Sequence, residues 1–278
     1  MALDQIDTEE SQEPQMGFLD HIDVLRKHLT RSAIAVVLAT IVVFVYIEKI
    51  FSDIILGPLH KDFYTYRKMC EFSQKFYHDD RLCVQEFHIQ LQNTEMAGQF
   101  LLAFKLAFIV GIIIAMPYIL WEIWRFIRPA LNLKELKYSK SFVFYVFILF
   151  AIGILFGYFV LAPISLNFLS NWSLSPDIKN DINVSNMLSF ISVLVLGTGL
   201  IFELPVMMYF LAKLGIISSK FLRKYRKYAF VIILIVAAIV TPPDVVSQVI
   251  LTIPLYGLFE LGVMITKGVE KRRAKDEI

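Results

Sequence analysis

The sequence is short of charge and of cysteine and lacks the common catalytic motifs, and each shortage excludes a class of protein. Charged residues are 19% of the 278-residue chain and the net charge is +2, so overall charge gives no support to nucleic-acid binding. Two cysteines alone do not support a catalytic or metal site. No HExxH, GxSxG, P-loop or GxGxxG pattern occurs, which leaves an intramembrane protease or an ATPase without its catalytic residues.

Two further absences concern the start of the chain and its histidines. The first residues, MALDQIDTEESQEPQ, lack the basic start and apolar core of a signal peptide, and they predict a short disordered acidic tail over residues 1–17. None of the five histidines lies in a long apolar run, which argues against haem ligation inside a membrane. We therefore predict no metal and no cofactor. No internal repeat of the kind that builds secondary transporters is found either.

Apolar residues are abundant. They make up 57% of the sequence, with 24 Phe and a mean hydropathy of +0.62, whereas soluble domains are roughly half apolar. The charges lie between the apolar runs, which is typical of a protein with several membrane-spanning helices. Because lipid offers no hydrogen bonds, each span must be helical, and we predict an all-α integral membrane protein. The six predicted spans are residues 32–47, 97–120, 142–166, 187–212, 229–240 and 245–265.

The fifth and sixth predicted spans are short. A full crossing needs about 20 apolar residues, but the fifth run would cover only about 18 Å of a hydrocarbon core about 30 Å thick. Pro254 and Glu260 interrupt the sixth run. A re-entrant hairpin is the alternative. Two short crossings, which would thin the bilayer locally, are favoured because Lys and Arg flank the pair on the same side at both ends.

The distribution of Lys and Arg predicts the orientation. Nineteen of the 27 basic residues fall in the N-terminal segment, the second and fourth connections and the C-terminal tail, and seven fall in the other connections. By the positive-inside rule both termini are cytoplasmic. The predicted layout is a membrane domain over residues 18–266, with an outer cap at 52–96, an outer loop at 167–186 and a basic cytoplasmic tail at 267–278.

The outer cap is too long to be a structureless loop, so we expect it to form helices lying across the outer surface. It contains both cysteines, Cys70 and Cys83. An oxidising exterior permits a disulfide between them, and two free or buried thiols are the alternative. The last outer connection is the tight turn TPPDVV between the fifth and sixth spans.

Lys105 and Glu203 are charged residues deep in clear spans. Counted along their helices from the outer face, they differ in depth by about 12 Å. One Lys side chain does not comfortably close that distance, so we expect Lys105 to extend towards the outer surface. An ionised Glu203 without a partner would be costly in lipid, so it is protonated, bonded to another helix or exposed to a wet cavity. An intramembrane carboxyl of this kind indicates a function by default.

The segment PYILWEIWRFIRPALNLKE, residues 117–135, follows the second span on the cytoplasmic side. Its aromatic residues and Arg are typical of an interfacial anchor. Glu135 is an acid between Lys134 and Lys137 on the face that meets cytoplasmic partners, and a surface ion pair is the alternative interpretation for it. In the third span the GxxxG pattern GILFG, residues 153–157, favours close helix packing.

Four stretches resemble motifs of the twin-arginine protein translocase core subunit, the TatC family. They are FLDHIDVLRKHL (residues 18–29), PYILWEIWRFIRPALNLKE (117–135), FELPV (202–206) and TPPDVVSQ (241–248). Their order and spacing cover nearly the whole chain, and six spans with both ends inside fit the same family. Any one motif is only moderately specific, but together they are highly specific.

The resemblance implies a non-enzymatic receptor and scaffold in the bacterial cytoplasmic (inner) membrane. Members of the family receive folded precursors whose signal peptides carry paired arginines, and they recruit single-span TatA/TatB-type partners for export driven by the proton-motive force. Self-association in a larger complex is also expected. By match to the motifs, the resemblance implies a cytoplasmic signal-peptide site at Glu135, Asp23, Leu25, Arg26, Phe126 and Pro129. It implies roles in transport or partner contact for Glu203, Pro205, Pro58, Pro117, Asp244 and Gln248.

The first motif departs from the family pattern. The family usually has a glutamate directly before the Leu-Arg pair, where this chain has Val24, and the acid here is Asp23. One residue is about 100° around a helix, so Asp23 does not take the same direction. Either the helix is rotated, or Asp23 reaches round, or the arginine site depends on Glu135, whose carboxylate suits paired hydrogen bonds from a guanidinium. The chain also has Leu136 where the family often has arginine.

Two other functions remain open from the sequence. A proton-coupled small-molecule transporter would use Glu203 as its proton carrier. A structural membrane subunit would have no substrate of its own. For Asp244, a plain cap on the helix that follows the Pro-Pro-Asp turn is the alternative to a role in transport.

Overall fold

The computed structural model describes residues 18–76, 78, 83, 90–127, 139–175, 181–242 and 244–276, and most of these residues are helical. The helices in chain order are α1 (Phe18–Val45), α2 (Ile47–Ile50), α3 (Tyr64–Phe76), α4 (Gly98–Ile127), α5 (Ser139–Phe156), α6 (Ala162–Asn171), α7 (Val184–Ile201), α8 (Leu204–Lys213), α9 (Ser219–Lys224), α10 (Arg226–Val240) and α11 (Val245–Asp276). Single π-helical turns at Phe51–Ile55 and Gly157–Leu161 and a 3-10 turn at Gly57–Leu59 join some of them.

Within the residues that the structure describes, five segments are long and apolar enough to cross a membrane. They are Ile22–Val45, Gly98–Phe126, Val143–Asn171, Val184–Lys213 and Val245–Ala274. These correspond to five of the six predicted spans, and the prediction of a helical membrane protein is confirmed at this level. The remaining predicted span, residues 229–240, lies in α10, whose 15 residues cover about 22 Å.

The first motif and the first span form one helix. The whole stretch FLDHIDVLRKHL belongs to α1 and is not a separate segment. Val24, His28 and Ser32 are half-buried or buried at intervals of one turn, and this stripe of α1 packs against α4. The two helices run antiparallel, because Phe44 near the end of α1 lies against Phe104 near the start of α4, with ring centroids 4.7 Å apart.

The helix α4 extends beyond the second predicted span. The sequence interpretation places residues 117–127 in a cytoplasmic segment, but the helix continues through Pro117 to Ile127. The Pro117 side chain is exposed and therefore does not crowd a packed neighbour. The residues that follow it, YILWEIWRFI, are mostly large apolar residues, and membrane helices tolerate an internal proline. The second motif therefore begins as about three helical turns.

The fourth predicted span consists of two helices with a break between them. α7 ends at Ile201 and α8 begins at Leu204, so Phe202 and Glu203 form the turn. Pro205 is within the first turn of α8. It has no N–H to bond the carbonyl four residues back, and its ring crowds that carbonyl, so an unbroken helix would be strained. The consequence is that Glu203 lies at a bend and not in a regular helical turn.

The sixth predicted span is not short as a helix. α11 has 32 residues and continues through Pro254 and Glu260 into the segment predicted as a basic tail. The Glu260 carboxylate accepts a hydrogen bond of 2.6 Å from the Arg226 guanidinium of α10, which compensates for its charge. Near the end of α11, Glu270 accepts hydrogen bonds from the backbone N–H (2.8 Å) and the hydroxyl of Ser219, the first residue of α9.

The GxxxG pattern lies at a close contact between helices. A Cβ atom on Gly153 would stand 2.8 Å from the Gly199 Cα, and one on Gly157 would stand 3.0 Å from the Val195 Cα. α5 and α7 therefore approach to a distance that only glycine permits, as the pattern predicts. The main buried apolar cluster lies beside this contact. It is formed by residues of α7, α8, α10 and α11, together with Leu161, Ala162 and Phe202.

The outer cap contains a helix, α3, as expected. Tyr66 of α3 is 2% exposed, and its hydroxyl lies 2.8 Å from the Pro163 carbonyl oxygen and 3.0 Å from that of Pro58. Burial raises the pKa of the Tyr66 phenol above its usual range. A disulfide joins Cys70 of α3 to Cys83, with the two Cα atoms 4.3 Å apart. These contacts attach α3 to the ends of the membrane helices.

A small parallel sheet joins the outer cap to the outer loop, and the sequence does not indicate it. Strand β1 (Gln90–Gln92) pairs with β2 (Asp181–Asn183). The Gln92 amide donates to the Asp181 carboxylate at 3.0 Å. The Asn183 side chain donates to the Thr94 hydroxyl at 2.9 Å and also accepts a hydrogen bond from a backbone N–H in the first turn of α7. The sheet therefore fixes the point at which α7 begins.

Candidate functional site

A buried carboxylate lies between α1 and α4, at the end where α1 begins and α4 ends. Glu122 of α4 is 1% exposed, and one of its oxygens is hydrogen-bonded to the Nδ1 atom of His28 in α1. A carboxylate this deeply buried requires partners that compensate for its lost hydration. We call this site the α1–α4 seam and define it by His28, Tyr118, Glu122, Arg125 and Phe126.

The other residues of the seam surround this pair. The Tyr118 hydroxyl hydrogen-bonds to the Glu122 carboxylate. The Arg125 guanidinium donates to the second Glu122 oxygen at 3.2 Å. Tyr118, Glu122 and Arg125 are four and three residues apart, so they share one face of α4. The His28 ring lies edge-on against Phe126, with ring centroids 6.2 Å apart.

The sequence interpretation does not single out His28, Tyr118, Glu122 or Arg125. The spacing of Tyr118, Glu122 and Arg125 could have indicated the site from the sequence, because it places an acid between two hydrogen-bond donors on one helical face. The aromatic residues around Glu122 favour an interfacial anchor instead. The partner that makes the site, His28, is 94 residues away in the chain, and only the folded arrangement brings it to Glu122.

The residues predicted to bind a signal peptide are only partly gathered at the seam. Phe126 belongs to it, and Leu25 and Arg26 are exposed on the neighbouring turn of α1. Val24 lies on the same half-buried stripe as His28, whereas Asp23 is exposed away from it. The helix is therefore not rotated so as to bring Asp23 into the seam. Glu135 and Pro129 lie outside the described residues.

Glu203 is the second buried carboxylate. It is 9% exposed, at the bend between α7 and α8, and its carboxyl lies beside the backbone of Phe150 in α5. Within the described part of the chain neither of its oxygens makes a hydrogen bond. Lys105 is not its partner, because the Lys105 ammonium donates to the Ser189 hydroxyl on α7. The prediction that these two charges do not pair is confirmed.

The outer turn positions the third buried carboxylate. Asp244 is 2% exposed, and one of its oxygens accepts a hydrogen bond from the Ser247 backbone N–H at 2.6 Å, so it caps the start of α11. Its other oxygen has no hydrogen-bond partner among the described residues. The Gln248 amide donates to the Leu234 carbonyl at 3.2 Å and so joins α11 to α10. The Ser247 hydroxyl is hydrogen-bonded at 2.6 Å to that of Ser165, which joins α11 to α6.

The three prolines to which the resemblance assigns roles in transport or partner contact have different structural effects. Pro58 is buried in the 3-10 turn, where its carbonyl accepts from Tyr66. Pro117 lies exposed inside α4, and Pro205 accompanies the break before α8. Among the described residues no group of three or more His, Cys, Asp or Glu is arranged to hold a metal ion.

Comparison with known proteins gives the same family throughout. The family profile "Sec-independent protein translocase protein (TatC)" matches residues 20–254. A protein of that name from Blattabacterium sp. subsp. Periplaneta americana is 38% identical over 260 residues, 93% of this chain and 98% of the relative. One from Helicobacter pylori is 45% identical over 169 residues, 61% of this chain and 66% of the relative.

Solved structures agree with the sequence relatives. A crystal structure of a "Twin Arginine Translocase Receptor- TatC" has a TM-score of 0.65 and 29% sequence identity, covering 90% of this chain and 99% of that chain. A second, in the detergent DDM, has a TM-score of 0.68 and 30% identity, covering 88% of this chain and 98% of that chain.

The fold defines a multi-span helical membrane protein whose buried carboxylates Glu122, Glu203 and Asp244 lie at contacts or turns between its helices. With the profile match and the relatives, the chain belongs to the TatC family, the Sec-independent protein translocase component. Members of this family are translocase components and not enzymes. The chain is a multi-pass protein of the bacterial cytoplasmic (inner) membrane.

Proposed function

We propose that this protein is the receptor and scaffold of a twin-arginine translocase. It binds the signal peptides of folded precursors through their paired arginines and recruits single-span TatA/TatB-type subunits for export driven by the proton-motive force. It works as several copies in a larger complex. Both termini face the cytoplasm, and α10 with α11 supplies the fifth and sixth crossings. Family membership does not favour proton-coupled transport of a small molecule through Glu203.

The observation that carries this proposal is the α1–α4 seam. Antiparallel packing brings the first motif, at the start of α1, to the same end of the protein as the second motif, at the end of α4. Glu135 follows Ile127, the last residue of α4, by only eight positions, so the chain leads to it from that same end. We place the signal-peptide site there, with Glu135, Asp23, Leu25, Arg26, Phe126 and Pro129 around it.

Partner subunits dock on a second region in this proposal. The features that support it are the buried carboxylate of Glu203 at the bend and the outer turn around Asp244 and Gln248. α10 presents exposed apolar side chains, Ile232, Ile235 and Ile239 among them, and a neighbouring single-span helix would cover these in the membrane. A buried carboxylate that has no hydrogen-bond partner among the described residues suits a polar group on an incoming helix.

The test is the arginine selectivity of signal-peptide binding. Glu135→Gln and Glu135→Lys are expected to abolish site-specific crosslinking to a signal peptide with paired arginines, because a guanidinium loses its carboxylate partner. A peptide with two lysines in their place serves as the negative control for the unaltered protein. Glu71→Gln, on the exposed surface of α3, is the matched control variant and should leave crosslinking unchanged.

Either of two results would contradict the proposal. One is equal crosslinking of the paired-arginine and paired-lysine peptides to the unaltered protein. The other is unchanged crosslinking in both Glu135 variants, which would remove that residue from the site.

A further inference from the structure

We propose that Glu122 is a second guanidinium-binding carboxylate of the signal-peptide site, and that Arg125 occupies it until a signal arginine takes its place. The inference rests on the proposed function and deepens it, because it assigns a binding residue within the same site. His28 and Tyr118 act as positioning residues that hold the carboxylate while its third partner is exchanged.

The face that α1 turns towards α4 supports the assignment of Glu122. Val24, His28 and Ser32 form the stripe of α1 that faces α4, and the acid nearest to them in sequence, Asp23, is exposed away from that stripe. Among the side chains of the first motif that the structure describes, from Ile22 onward, none on the stripe that faces the seam is a carboxylate. Glu122 supplies one from the opposite helix, at hydrogen-bond distance from His28.

The three partners of Glu122 are not equally fixed. The His28 side chain is 14% exposed and belongs to a different helix, so its bond to one oxygen is part of the helix contact. Arg125 makes one contact of 3.2 Å to the other oxygen, and its side chain is 46% exposed. The Arg125 guanidinium can therefore swing into water without unpacking the seam, and the Glu122 oxygen that it contacts then loses this partner.

The chemistry favours an arginine as the replacement. The Arg125 contact shows that this side of the Glu122 carboxylate accepts a guanidinium. A guanidinium presents a planar fork of donors that an ammonium lacks, so a lysine in the signal would not reproduce the contact. Two adjacent arginines also require two acceptors, and Glu122 adds a buried one to Glu135 and the exposed Asp23. The near-complete burial of Glu122 excludes water, which strengthens the exchanged hydrogen bond.

The experiment compares two variants of the full-length protein in lipid nanodiscs. The probes are synthetic signal peptides with Arg-Arg, Lys-Arg and Lys-Lys, and the measurement is the dissociation constant of each. Glu122→Gln is expected to weaken Arg-Arg binding about tenfold or more, because a charge-assisted hydrogen bond becomes a neutral one. Arg125→Gln is expected to strengthen Arg-Arg binding several-fold, because the internal competitor is gone.

Arg125→Gln is the decisive variant. If Glu122 only ties α1 to α4, then loss of Arg125 leaves binding unchanged or weaker, and that result overturns the inference. Arg125 is half-exposed, so this variant is expected to fold even if Glu122→Gln does not. The thermal unfolding midpoint of each variant is measured alongside.

The outcomes separate this inference from the proposed function. Arg-Arg binding that is lost in Glu135→Gln but unchanged in both Glu122→Gln and Arg125→Gln overturns only the inference. If the unaltered protein does not prefer Arg-Arg over Lys-Lys, both the proposed function and the inference fail. Stronger binding in Arg125→Gln, with weaker binding in Glu122→Gln, supports both.

Discussion

Three buried carboxylates differ in how far their own chain satisfies them. Glu122 has partners for both oxygens, Asp244 for one and Glu203 for neither, among the described residues. An unsatisfied buried polar group costs about 1–3 kcal/mol relative to a bonded one. The bonding of Glu122 and Asp244 contributes to the contact between helices. The unsatisfied carboxyl of Glu203 therefore lowers the stability of the folded protein. A destabilising group of this kind is retained in a membrane protein where function needs it.

This difference makes a prediction for Glu203. Glu203→Leu is expected to raise the stability of the isolated protein by about 1–3 kcal/mol, because it removes a buried carboxyl that has no hydrogen-bond partner among the described residues. The same variant is expected to lose export of a reporter carrying a twin-arginine signal, because the partner helix loses its polar contact. The two measurements are chemical denaturation in detergent and export of the reporter in cells.

Glu260→Leu is the matched control for this prediction. Its carboxylate is bonded to Arg226, so its removal leaves a cation without its partner and should not stabilise the protein. A loss of stability in Glu203→Leu would contradict the interpretation of Glu203 as unsatisfied.

At the scale of helices, two prolines in apolar segments have opposite effects. α4 passes through Pro117 without a break, whereas the chain breaks just before Pro205. Both prolines remove one backbone hydrogen bond. The surroundings differ, because Pro117 is exposed, while the residues before Pro205 are buried against α5, where Phe202 lies beside Gly153. Tertiary packing therefore decides which proline ends a helix.

The contact of α5 with α7 makes a prediction at this scale. Gly153→Leu is expected to lower the unfolding midpoint strongly, because even a Cβ atom would lie 2.8 Å from the Gly199 Cα and the helices must separate. Gly257→Ala in α11 is the matched control, since a Cβ there meets no atom within 4 Å. Circular dichroism during heating measures both. Equal midpoints for the two variants would rule out tight packing at Gly153.

At the scale of the whole molecule, the number of crossings depends on α10. Its 15 residues cover about 22 Å, less than the roughly 30 Å hydrocarbon core. A crossing then requires local thinning of the bilayer. In the alternative, a re-entrant hairpin of α10 and α11, the turn before α11 would stay inside the membrane and not reach the outer face.

Cysteine labelling distinguishes these two topologies. Val245 is 73% exposed at the start of α11, and the native cysteines are joined in a disulfide, so Val245→Cys provides a new reactive thiol. We expect a membrane-impermeant maleimide to label it in intact spheroplasts. Lys267→Cys, towards the other end of α11, should react only after permeabilisation. Failure of Val245→Cys to react in intact spheroplasts would mean that α10 does not cross.

The sequence by itself determined the class of protein, five apolar spans and the family, because long apolar runs and linear motifs are properties of contiguous residues. It also located the GxxxG contact and the position of Glu203. Only the tertiary structure decided that the first motif belongs to α1, that the fourth span breaks before Pro205 and that α11 continues past Glu260. The seam itself depends on His28 meeting Glu122 across 94 residues. Such contacts follow from how helices pack against each other, and no local pattern in the sequence specifies that packing.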